Sequence, residues 1–193
     1  WVSGARFTFI AMIILVLAWS MSEISRELHT ADFLIASLGN SLPAAALPAV
    51  IFVLAAFTAF STGSSWGAMG ILLPLVLPLC WAIMSMEGLT TGEDYFILYS
   101  SVSGVLAGAV WGDHCSPISD TTVMSSLSAG CDHIEHVRTQ LPYALLAGAA
   151  ALGAGTLPTS FGLPWWLGML AAAAVTVVGL RLLGEPVEDY RPE

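Results

Sequence analysis

The sequence predicts an all-α, polytopic membrane protein with discontinuous transmembrane helices and re-entrant segments. Three observations predict it. The chain is 56% hydrophobic and 10% charged, with mean hydropathy +0.81, whereas a soluble domain carries about 25% charged residues. Its apolar runs approach or exceed the roughly 20 residues that a helix needs to cross a bilayer. Two of these runs are interrupted by polar residues, at 61–67 and 111–122. A soluble fold would have to bury several long apolar helices without polar faces, which 193 residues can hardly do.

The elements follow in order. Residues 7–21 are nearly uncharged and predict a helix on the short side of a full span. In 22–42, Glu23, Arg26, Glu27, His29 and Asp32 alternate with Ile24, Leu28, Phe33, Leu34 and Leu38, which predicts an amphipathic connecting helix ended by Gly39-Asn40. Residues 43–86 exceed one span. They predict either two spans or a re-entrant hairpin plus a span, broken at Ser61–Gly67 and kinked at Pro74 and Pro78. The loop 87–94, with Glu87, Gly88, Gly92, Glu93 and Asp94, reads as a solvent turn.

Residues 95–129 repeat that plan, with Gly112 and Pro117 expected to interrupt the helix. A second polar amphipathic stretch covers 130–141, and apolar runs at 142–157 and 163–183 close the membrane part. Pro158 and Pro164-Trp165-Trp166 mark an interfacial turn between them. The tail 184–193 is polar. Paired broken helices at corresponding positions are the sequence pointer to a transporter binding site.

Charge narrows the function classes. The net charge is −9 and lysine is absent, which argues against nucleic acid and against a polybasic surface anchor. Three cysteines without C-x-x-C spacing predict neither a disulfide framework nor a zinc knuckle. The arginines at 26, 138, 181 and 191 fall in one set of connections, so the positive-inside rule places the C-terminus in the cytoplasm. The chain starts at Trp1, with no cleavable signal before its first apolar run, and is expected to be the C-terminal part of a longer protein.

The stretch Trp111–Thr122 carries most of the chemistry. Ionisable residues are costly inside a membrane, about 2.5–3.5 kcal/mol each on insertion scales, and persist mostly where they line a pathway or bind something. A hard cation prefers oxygen ligands. Asp113 and Asp120 would supply charge, and Ser116, Ser119, Thr121, Thr122, Thr62, Ser64 and Ser65 neutral oxygens. Unwound backbone would add carbonyls where the two breaks meet near the midplane. Of the two aspartates, Asp120 is favoured slightly as the exchanging group, because hydroxyls flank it on both sides; it also suits a helix N-cap. His114 is a candidate proton relay, and His133 and His136 candidates for pH sensing, since imidazole titrates near neutral pH. Asp132-His133-Ile-Glu135-His136 does not match the metalloprotease spacing, and no resident metal or cofactor is expected. Arg138 is expected to pair with Glu135 or Asp132.

Two blocks carry a family resemblance. Gly112-Asp-His-Cys-Ser-Pro-Ile-Ser-Asp-Thr-Thr122 and Gly130-Cys-Asp-His-Ile-Glu-His-Val-Arg-Thr-Gln-Leu-Pro-Tyr143 closely resemble the C-terminal region of NhaC-type Na+/H+ antiporters. Leu17-Ala-Trp19 and Thr62-Gly-Ser-Ser-Trp-Gly67 are similar to elements of the same family. The resemblance implies a multi-pass protein of the cytoplasmic membrane that exchanges Na+, or Li+, for H+. Some relatives couple these ions to organic anions such as malate and lactate. It also implies that residues 1–193 form the C-terminal half of the transporter. The N-terminal half would then be a partner, alongside lipid, and a chain acting alone would need a second copy, as a homodimer.

Antiport requires two ions to compete for one group. A buried carboxylate suffices, because burial favours its protonated form and a bound cation its ionised form. The rivals are a Na+-coupled transporter of an organic acid or amino acid, a passive channel, and an intramembrane hydrolase built on Asp113 and Asp120, whose two carboxyls would share a proton.

Overall fold

The computed structural model describes residues 42–184, together with Val16, Ser20, Glu23, Ile24, Glu27, Leu28 and His29. The expected span at 7–21 and nearly all of the amphipathic 22–42 stretch lie outside the described residues, as does the tail beyond Gly184.

The described chain is helical. A short 3-10 turn, Ala44–Ala46, leads into α1, Leu47–Thr62. It is followed by α2, Ser65–Met86, and α3, Tyr95–Cys115. A ten-residue helix, α4, Asp120–Ala129, precedes α5, His133–Ala150. The chain continues from α5 through a π-helical segment, Ala151–Thr156, into α6, Leu157–Ser160. The final helix is α7, Trp165–Leu183. Among the described residues, five stretches are long and apolar enough to cross a membrane: Ala44–Thr62, Ser65–Met86, Tyr95–Cys115, His133–Ser160 and Trp165–Leu183.

Several boundaries differ from the sequence reading. The 43–86 segment is two helices, joined only by Gly63 and Ser64. Gly63 ends α1 at φ 65°, a left-handed conformation that glycine adopts without a Cβ penalty. Pro74 and Pro78 lie inside α2, which runs on through both. Gly112 does not interrupt its helix; α3 continues to Cys115, and the departure comes at Ser116 and Pro117. Residues 133–141 and 142–157 belong to one helical run, His133–Ser160, of 28 residues, with Asp132 as its N-cap. Pro158 has no N–H to return to the preceding turn, and the wider π winding lies just before it.

The core forms between α1, α2 and α3. Leu47, Ile51, Ala55 and Ala59 pack with Leu72, Val76, Cys80 and Ile83, and with Ile97, Val105 and Ala109. The hairpin of α1 and α2 is closed at its open end by Glu87, whose carboxylate accepts from the Ala44 N–H at 2.9 Å. The closest helix contact is between α1 and α3, which run parallel. Gly104, Gly108 and Gly112 form a stripe on α3 against the α1 backbone. A Cβ on Gly104 would lie 2.8 Å from the Pro48 carbonyl, and those on Gly108 and Gly112 would collide with the backbone of Phe52 and Ala56. Small residues let helices approach where lipid offers no hydrophobic drive between them.

α5 lies antiparallel to α3. The Trp111 indole rests on Gly148, donates its N–H to the Ala144 carbonyl at 2.7 Å and stacks on Phe52 at 5.7 Å. α7 packs back on the His133–Ser160 run through Gly168 and Gly179. Only Gly168 is buried in α7; its leucines, valines and tryptophans are exposed, as on a surface facing hydrocarbon.

Because successive helices alternate in direction, the Gly63-Ser64 turn, the Ser116–Ser119 turn, Arg138 and Arg181 all lie toward one end of the bundle. The acidic 87–94 loop and the α6–α7 turn lie toward the other.

Candidate cation site

The two chain breaks meet. The Ser116 hydroxyl donates to the Phe60 carbonyl at 2.7 Å, satisfying a carbonyl that the end of α1 leaves without a helical partner. A Cβ on Gly63 would lie 2.9 Å from the Ile118 carbonyl, so the first turn sits directly against the second. Their meeting point lies at the ends of α1 and α3, not halfway along them.

At this junction Asp113 is buried, with 5% of its surface exposed. The Ser119 hydroxyl lies 2.8 Å from Asp113 Oδ1. The Thr121 hydroxyl lies 3.1 Å from Oδ2, and Ser65, from the first break, reaches Oδ2 at 3.5 Å. Ser119 and Thr121 are 2.7 Å apart. Ser119 is also the N-cap of α4, accepting from the Thr121 N–H at 3.2 Å. The donor set is oxygen alone: a carboxylate and three hydroxyls from both breaks. Among the described residues, no basic side chain pairs with Asp113.

The other expected residues divide. Asp120 is exposed, in the first turn of α4, and Ser119 takes the capping role the sequence reading gave it. The hydroxyls that flank Asp120 in sequence turn toward Asp113. Residues on either side of a helix start project in different directions from Asp120, and a buried carboxylate needs those donors more than an exposed one. Thr122 is buried, with its hydroxyl 3.5 Å from the His114 carbonyl. Thr62 bonds back to the Thr58 carbonyl at 2.8 Å, and Ser64 caps α2 by accepting from the Gly67 N–H at 3.2 Å. These last two hydroxyls therefore serve the helix ends.

The His114 side chain is exposed, while its carbonyl accepts from Gln140. His133 bridges the Pro117 carbonyl, 2.6 Å from Nε2, and the Ser126 hydroxyl, 3.1 Å from Nδ1. His136 is half-buried, and its shielded Nε2 has no hydrogen-bond partner among the described residues. The Asp132 carboxylate caps α5 through the N–H groups of Ile134 and Glu135, both at 3.0 Å, and Arg138 forms no ion pair among the described residues. Sequence reading missed Gln140, Phe60 and the glycine stripe; the stripe was visible as glycines four residues apart.

An uncharacterized protein of Haemophilus influenzae is 39% identical over 178 residues, covering 92% of this chain and 32% of the relative. An uncharacterized Na+/H+ antiporter of the same organism is 35% identical over 98 residues, covering 49% of this chain and 19% of that protein. The malate-2H+/Na+-lactate antiporter of Bacillus subtilis is 31% identical over 90 residues, covering 46% of this chain and 17% of the relative. The chain thus spans a third or less of the length of these relatives. No solved structure is significantly similar. Residues 1–156 match the Na+/H+ antiporter family, and with two relatives bearing antiporter names, this multi-helix chain belongs to that family of transporters.

Proposed function

We propose that this chain carries the ion-binding part of a secondary transporter that exchanges Na+ for H+ across the cytoplasmic membrane, with Asp113 as the group the two ions share. The observation that carries this reading is the buried Asp113 carboxylate, ringed by Ser65, Ser119 and Thr121 and without a basic partner among the described residues. In this reading the carboxyl holds a cation or a proton in turn. When Na+ arrives, the three hydroxyls rotate to offer lone pairs in place of protons, and the carboxyl proton leaves. Asp120, exposed beside the turn, attracts cations to the entrance and does not exchange.

Arg138 and Arg181 mark the site's end of the bundle as cytoplasmic by the positive-inside rule. The remaining length of the transporter, by analogy with the relatives' size, supplies the other wall of the pathway; a second copy of this chain is the alternative. The hydrolase reading loses support because the partners of Asp113 are hydroxyls, not Asp120. A second transport reading, Na+ and H+ coupled to an organic anion, is favoured by the similarity to the malate-2H+/Na+-lactate antiporter.

The deciding experiment reconstitutes the full-length protein in proteoliposomes and follows internal pH after addition of Na+ or Li+, with and without malate and lactate. Proton movement on Na+ alone supports simple exchange. Movement only when an organic anion is present favours the second reading. No movement under any condition overturns both.

A further inference from the structure

α3 ends at Cys115, so its last carbonyls have no partner inside the helix. α5 provides partners to this region. Gln140 donates its amide N–H to the His114 carbonyl at 2.5 Å, and His133 Nε2 lies 2.6 Å from the Pro117 carbonyl. A carbonyl only accepts, so Nε2 carries the proton in that bond. Nδ1 of the same ring meets Ser126 of α4 at 3.1 Å. One imidazole therefore ties α5 both to the Ser116–Ser119 turn and to α4. His133 and Gln140 stand two helical turns apart on one face of α5, and Ala144, one turn further, receives the Trp111 indole N–H.

Neither side chain bonds to Asp113. Pro117, however, lies between Ser116, which is bound to the Phe60 carbonyl, and Ser119, which is bound to Asp113. A shift of this turn would withdraw the Ser119 hydroxyl, because hydrogen bonds weaken steeply beyond their short working range.

We propose that His133 and Gln140 are positioning residues, which clamp the Ser116–Ser119 turn and so set the affinity of the Asp113 site for its cation without touching the ion. This rests on the exchange reading above. His133 acts by donating an N–H to a carbonyl, not by gaining and losing a proton during exchange.

The test measures Na+-triggered proton movement by the full-length protein in proteoliposomes, over a range of Na+ concentration and pH, with signals normalised to the protein inserted. His133→Ala raises the half-saturating Na+ concentration about tenfold, the order expected from losing a hydrogen bond and its buried partner, while the maximal rate stays near wild type. His133→Gln keeps an N–H for the Pro117 carbonyl and restores most of the affinity, and the shape of the pH profile is the same in both. Gln140→Ala shifts affinity in the same direction. Should His133→Ala fail to insert, His133→Gln decides. Unchanged affinity in His133→Ala and Gln140→Ala overturns the inference. A His133→Gln variant as impaired as His133→Ala, with a flattened pH profile, overturns it in favour of a titrating imidazole. A wild type that moves no protons under any of these conditions overturns the exchange reading itself, and the inference with it.

Discussion

The Ser119 hydroxyl lies 2.8 Å from the Asp113 carboxylate across the turn that joins α3 to α4. Ser119 thus holds the start of one helix and a buried charge at the end of another. In the proposed reading, this pairing makes Asp113, not Asp120, the centre of the candidate site.

The aspartates should therefore separate in function. Asp113→Asn, which keeps the size and removes the charge, abolishes Na+-dependent proton movement. Asp120→Asn leaves exchange largely intact, with at most a weaker response at low Na+. Normal exchange by Asp113→Asn, with wild-type membrane insertion, would refute its assignment.

The hydroxyls should rank by their distance from Asp113. Ser119 lies at 2.8 Å, Thr121 at 3.1 Å and Ser65 at 3.5 Å. Ser119→Ala raises the half-saturating Na+ concentration most and Ser65→Ala least. Ser119→Ala also loses the α4 cap, which costs about 1 kcal/mol of stability. Thermal unfolding in detergent, measured beside transport, separates the two effects.

The α3 glycine stripe should resist even a methyl group. Gly112→Ala places a Cβ into the Ala56 backbone, and overpacking of this kind costs about 1–3 kcal/mol. Gly92→Ala, where a Cβ meets nothing within 4 Å, is the neutral control. Melting temperatures in detergent fall for the first and hold for the second.

Two left-handed glycines make a further pair. Gly63 and Gly88 have φ of 65° and 75°. Gly88→Ala pays only the conformational penalty of about 1–2 kcal/mol, since a Cβ there meets nothing. Gly63→Ala also presses on the Ile118 carbonyl, at 2.9 Å, and displaces the second break. Transport by Gly63→Ala falls well below that of Gly88→Ala at equal amounts in the membrane. Equal transport by the two would show that the contact between the breaks is unimportant.

The membrane class follows from local composition, which left residues 43–86 open between two spans and a re-entrant hairpin plus a span. Apolar runs of spanning length leave few alternatives once lipid is the solvent. The ends of these helices were legible in part: Gly63 with Ser64, and Pro117, fall in the polar stretches, but Gly112 lies inside α3 and Pro74 and Pro78 inside α2, so glycine and proline alone do not mark a helix end. Asp113, Ser119, Thr121 and Ser65 stood out in the sequence as polar groups in an apolar chain, but so did Asp120, Thr62 and Ser64, which do not join them.

Which aspartate those hydroxyls serve was not legible. In sequence, Ser119 and Thr121 flank Asp120. In space they turn to Asp113, because α3 carries it into a buried junction while α4 begins with Asp120 exposed. The approach of Ser65 from the other break, and of His133 and Gln140 from α5, depends on how close the helices come. That distance is set by Gly104, Gly108 and Gly112 against α1 and by Gly148 beneath Trp111. Local composition decides which segments are helical and where they stop; only packing between helices distant in sequence decides which polar groups share a buried space, and therefore which charge must be answered there.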